Sequence, residues 1–299
     1  MGRGPVYASG VSASWGWRWA LVVYLPVLIA ARAVMAGQIH DLRLDEETDH
    51  DETVPWLPAL AMAAGVAIIG ALRASSPWFW PGVAIGTALV LWSCSCVLPD
   101  GTLRLVPGRR AGIATLLWVC AFFLTLDFLV APSAHDVLGM TPTQTGWALT
   151  AGGIGWSAVA IACGARPARE PQAYRRRTML AAVFFVVGTM LMAVTVLEKA
   201  DWWGLPVGYG VASIGMGLTH LDTMNRIVTD PARPDGITHA QAATAVTIAG
   251  AAGGAVLGTA AAAFVAPTAA GVETDRLWPT LILLAVGLLL TPLLARRAA

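Results

Sequence analysis

Nine apolar stretches, each about twenty residues long and set apart by short polar or Pro- and Gly-containing breaks, organise the chain. At ~1.5 Å of rise per residue, about twenty apolar residues cross a ~30 Å hydrocarbon core. The pattern predicts spans at 17–36, 55–73, 78–98, 111–131, 145–164, 178–197, 203–221, 239–265 and 277–295. Pro26, Pro58, Pro81 and Pro206 fall inside spans, where neighbouring helices re-satisfy the freed backbone groups. Only the segment from Arg73 to Pro77 separates the second and third spans, which reads as a tight helical hairpin. The expected fold class is all-α, a polytopic transmembrane helical bundle of about nine spans.

Composition agrees with that pattern. Hydrophobic residues are 57% and charged residues 12% of the 299, against roughly 45–50% and ~25% in soluble domains. The charge is too sparse to clothe a water-soluble surface, and the lipid bilayer is the expected surrounding partner. A net charge of +1 gives no general attraction for nucleic acid, and none is expected as a partner. Successive loops must alternate sides, and the basic residues divide thirteen to four between the two sets. The positive-inside rule then places the C-terminus in the cytoplasm and the N-terminus outside. Cys94, Cys96, Cys120 and Cys163 lie in apolar runs and read as small buried hydrophobes; no metal site is expected. Trp78, Trp80, Trp202, Trp203 and Trp278 stand at span starts, as an interfacial aromatic belt requires. No phosphate-binding glycine loop, His-Glu-x-x-His or Gly-x-Ser-x-Gly is present, so neither a cofactor nor an enzymatic activity is expected, and any transport would draw on an ion gradient.

A few residues within or beside the spans could carry chemistry. Asp127 sits in Phe-Phe-Leu-Thr-Leu-Asp-Phe-Leu-Val with no basic residue nearby. An unpaired carboxylate in a span costs about 2.5–3.5 kcal/mol or more, so it faces a cavity or exchanges protons; hydration near the outer interface is the alternative. His220, Asp222 and Arg226 close the seventh span. They read either as a proton relay or as an interfacial group in which Asp222 and Arg226 pair at i,i+4. Trp147 and Trp156 on the fifth span could stack an aromatic or cationic substrate. Gly250, Gly254 and Gly258 put three glycines on one face of the eighth span for close helix packing; Gly152 and Gly155 on the fifth, and Gly208, Gly210, Gly215 and Gly217 on the seventh, do likewise. The acidic run from His40 to Glu52 reads as a solvated linker, and Arg175–Arg177 as a headgroup anchor.

Several of these segments resemble the major facilitator superfamily, in particular its fourteen-span drug:proton antiporter branch. Ser14-Trp-Gly-Trp-Arg-Trp19 with Tyr24-Leu-Pro26 is similar to the sixth helix of that branch. Pro99-Asp-Gly-Thr-Leu-Arg104 is similar to the link before its last bundle, and Gly139-Met-Thr-Pro-Thr-Gln-Thr-Gly-Trp-Ala-Leu-Thr150 to the loop and helix start that follow. Gly215-Met-Gly-Leu218 and the small-residue run 242–263 fit two later helices. The resemblance implies an external tail and first span at 1–36, an acidic cytoplasmic linker at 37–54, an extra transmembrane hairpin at 55–98 and a six-helix C-terminal half at 99–299. It further implies a bacterial cell membrane and proton-coupled export of small amphipathic molecules, with Asp127 as the proton-coupling or substrate-binding residue. The first five helices of that branch would precede Trp15, so a missing N-terminal half or a second copy is an expected partner. A non-transporting assembly subunit is the alternative.

Overall fold

The computed structural model describes residues 10–11, 14–40, 55–229, 235–266 and 274–298. Among them every regular element is helical: α1 (Trp17–His40), α2 (Trp56–Gly70), α3 (Phe79–Val97), α4 (Arg109–Pro132), α5 (Pro142–Ala165), α6 (Pro171–Leu197), α7 (Gly204–Val228), α8 (His239–Val265), α9 (Thr274–Leu289) and α10 (Thr291–Ala298). A π-helical turn, Ser133–Val137, extends α4. Most of the predicted acidic linker, residues 41–54, lies outside the described residues, as do Arg3, Arg43 and Arg233.

Among the described residues, six helices are long and apolar enough to cross a membrane: α3, α4 with its π turn, α5, α6, α8 and α9 with α10. That makes the chain a membrane protein on length and composition. The three remaining predicted spans differ for separate reasons. α1 runs 24 residues, Trp17–His40, and its described stretch Leu25–Gly37 is apolar; α2 has 15 residues, short of the roughly 20 that a span requires. α7 has 25 residues but carries Thr219, His220, Asp222, Thr223, Asn225 and Arg226. It can be this polar because it lies inside the bundle, against α4, α5, α6 and α8. Lipid never sees most of its surface.

Glycines allow this central placement. A Cβ on Gly188 of α6 would lie 2.3 Å from the Ala212 backbone nitrogen of α7, and one on Gly217 of α7 would lie 2.7 Å from the Trp156 carbonyl of α5. On α8, Gly254 and Gly258 meet Leu124 and Phe128 of α4, with Gly253 against Ala121. Gly250 does not share that contact: a Cβ there meets nothing within 4 Å. The stripe therefore runs through Gly253, Gly254 and Gly258, because α8 turns its 250 position away from α4. The α2–α3 hairpin closes through Gly65 and Gly86, each facing the other's carbonyl, and rests on α8 with Phe79 stacked on Phe264. The described side chains of α1, among them Trp19, Leu25 and Ile29, are exposed.

Several buried hydroxyls bond to the carbonyl one turn back, as a water-free interior favours. Thr115 donates to Ala111, Thr125 to Ala121, Ser213 to Tyr209 and Thr223 to Thr219. Two capping boxes, Thr141 with Gln144 and Thr238 with Gln241, start α5 and α8. Three cysteines are buried as expected; Cys96 is exposed.

Candidate functional site

α4, α5 and α7 line an open cavity of about 490 Å³. From α4 come Phe123 and Asp127, four residues apart and so on one helical face. α5 contributes Gly152, Trp156 and Ser157, and α7 contributes Tyr209. The Tyr209 hydroxyl donates to Asp127 Oδ1. Its ring stacks on Phe123 at 6.0 Å and 16°, and it fits only because position 152 is glycine: a Cβ there would lie 2.1 Å from Tyr209 Cε1. Trp156 stands edge-on to Phe123 at 5.7 Å. On its other side Trp156 meets His220 edge-on at 5.3 Å. Aromatic contact thus continues from the Asp127–Tyr209 pair to His220, two-thirds of the way along α7.

No basic side chain among the described residues pairs with Asp127. One hydroxyl only partly offsets the cost of a carboxylate in a span, so the group has two ways to lower its energy. It can hold a proton, or it can meet a cation entering the cavity, whose aromatic walls would also attract that cation.

Asp222 lies in a different setting. It is 3% exposed, and both of its oxygens are engaged. Arg177 Nη1 donates to Oδ2 at 2.6 Å and the Ala168 backbone N–H to Oδ1 at 3.2 Å. The predicted i,i+4 pair with Arg226 does not form. Arg177 reaches Asp222 from α6, while Arg226 turns to the 168–170 turn. There its Nη2 donates to the carbonyls of Ala168, Arg169 and Glu170, and its guanidinium lies 4.4 Å over the Tyr174 ring. His220 takes no part in these contacts and meets Trp156 edge-on. Arg177 also departs from the expected headgroup anchor: it sits in the second turn of α6 and points at α7.

The same end of the bundle holds a further pair. Arg109 Nε donates to Asp235 Oδ2 at 2.8 Å and its Nη2 to Oδ1 and to the Ile237 carbonyl. These bonds hold the Asp235 carboxyl down to about 2. Gly108 N–H donates to the Arg297 carbonyl and Arg175 to the Arg296 carbonyl, so the starts of α4 and α6 and the end of α10 are tied together.

Of the predicted site residues, Asp127 and Trp156 are brought to one cavity, and His220 meets Trp156. Trp147 is 52% exposed and does not line it. Tyr209 and Phe123 were not singled out by sequence. Phe123 had a legible signal, its i−4 spacing from Asp127; Tyr209, between Gly208 and Gly210, had none. No protein-family model and no curated protein matches the chain.

Proposed function

We propose that the chain is the C-terminal portion of a secondary active transporter of the major facilitator superfamily type, exchanging protons for small amphipathic molecules. The observation that carries this reading is the Asp127–Tyr209 pair in an aromatic-walled cavity between α4, α5 and α7. A carboxylate without a cationic partner is able to trade a proton for a positively charged or strongly polarised substrate, which is the elementary step of an antiporter. Phe123, Trp156 and Tyr209 would supply face and edge contacts to the organic part of the substrate. Trp147, on the exposed side of α5, has no role in this reading. The order of sequence motifs supports the family, and the thirteen-to-four loop bias supports an arginine-rich end in the cytoplasm of a bacterial cell. On that orientation the cavity opens in the outer half of the membrane. In the superfamily two halves rock about a central site, so a second half, or a second copy of this chain, completes the transport unit.

The test is flux of a fluorescent lipophilic cation, ethidium, into or out of liposomes holding the purified chain under an imposed proton gradient. Gradient-dependent flux that Asp127→Asn abolishes is the expected result. Undiminished flux in Asp127→Asn removes the carboxylate from the mechanism. A folded chain with no proton-coupled flux excludes a second copy of this chain as the completing half and favours the assembly-subunit reading.

A further inference from the structure

A second cavity, of about 390 Å³, lies at the arginine-rich end, between the 167–169 turn, the last turns of α7, Gly108 and Ala298. Arg109, Arg169, Arg226 and Asp222 all border it, yet their charges are not equally available. Arg109 is engaged by both oxygens of Asp235. Asp222 is engaged by Arg177 and the Ala168 N–H. After these pairings Arg169 and Arg226 remain, and no carboxylate among the described residues pairs with either. Arg226 is half-buried, its polar contacts within the chain are to backbone carbonyls, and its Nε is buried without an acceptor. Stacking on Tyr174 and three carbonyl bonds fix the guanidinium in place. A half-buried cation left without a counter-charge is costly, and one fixed beforehand loses little entropy when an anion arrives. Asn225 and Thr229 add neutral hydrogen-bonding groups to the rim.

We propose that this cavity binds a phosphate group, with Arg226 as the fixed guanidinium and Arg169 as the exposed one that completes the clamp. Guanidinium forks match phosphate oxygens in geometry as well as charge. The cavity lies where α4 and α6 begin and α5 and α7 end, the level of the lipid headgroups, so an anionic phospholipid and a soluble phosphate are the two sources of the same chemistry. The site is independent of the transport reading, because it shares no residue with the Asp127 cavity.

Native mass spectrometry of the full chain released from nanodiscs of phosphatidylcholine with phosphatidylglycerol reads the lipid source; calorimetry with inorganic phosphate reads the soluble one. Arg169→Gln removes a side chain with no hydrogen bond of its own and should leave the melting temperature unchanged. It is expected to lower binding from whichever source is used about fivefold, the effect of one arginine near a membrane surface. Arg226→Lys keeps the charge but loses the fork, and should lower it as well. Preferential retention of phosphatidylglycerol, lost in these variants, assigns the site to lipid; phosphate binding lost in them assigns it to a soluble anion. Equal retention and equal phosphate binding in wild type and Arg169→Gln overturn the proposal. So does an equal loss in Arg104→Gln, an exposed arginine outside the cavity.

Discussion

Asp127 and Asp222 both touch α7, and the bundle treats them in opposite ways. Asp222 is enclosed by Arg177 and a backbone N–H, with every oxygen assigned to a partner within the chain. Asp127 has one hydroxyl, no cation and a cavity in front of it. The first arrangement fastens α6 and the 166–170 turn to α7, and nothing is gained by disturbing it. The second leaves a charge incompletely answered. What separates the two carboxylates is therefore their pairing: only Asp127 is left able to take up a proton or a cation.

The largest expected effect breaks the paired member. Arg177→Gln leaves Asp222 buried without its cation and should cost about 3–5 kcal/mol of stability, read as a lowered melting temperature in detergent. Asp222→Asn in that background should restore part of the loss. If Arg177→Gln destabilises no more than Asp127→Asn does, the contrast between the two carboxylates is wrong. The next effect acts on the member without a cation. Gly152→Ala places a methyl group against the Tyr209 ring, should cost about 1–3 kcal/mol by overpacking, and should reduce cation binding because Tyr209 moves off Asp127. Unchanged stability and binding would mean that the ring position is not what organises the cavity. The smallest concerns the outlying pair. The Arg109 guanidinium lowers the Asp235 carboxyl to about 2. Its contribution is therefore complete above the ordinary aspartate value of ~3.9 and is lost as pH falls towards about 2. Asp235 is partly exposed but Arg109 is buried, so Asp235→Asn should cost about 1–2 kcal/mol at neutral pH, and its melting temperature should converge with wild type as the pH approaches that lower value. A gap that persists there would show that something other than the ion pair was lost.

The helices were largely legible in the sequence, because an apolar run long enough to cross lipid leaves few alternatives. Predicted spans 78–98 and 239–265 match Phe79–Val97 and His239–Val265 closely. Where the helices begin earlier than predicted, as at Pro142 and Pro171, a capping box or an N-terminal proline carries the helix past the polar boundary. Counting apolar residues also finds α7, although its polar last turns are tolerated only through its neighbours, and it overruns at α2, where 15 helical residues stop short of a span. The site was legible only in part. Asp127 stood out by charge alone. Its partner Tyr209, 82 residues away, and the pairing of Asp222 with Arg177 instead of Arg226 depend on how α4, α6 and α7 face one another, which no local pattern encodes. On α8, Gly254 and Gly258 meet α4 as the spacing predicts and Gly250 does not, because a four-residue period alone does not say which face meets α4.

The central claim is that Asp127 exchanges a proton for a cation. Calorimetric binding of tetraphenylphosphonium to the purified chain, repeated in buffers of different ionisation enthalpy, counts the protons released as the cation binds. The account predicts proton release in wild type, retained in Asp235→Asn and absent in Asp127→Asn. Equal proton release from the wild type and Asp127→Asn would contradict it.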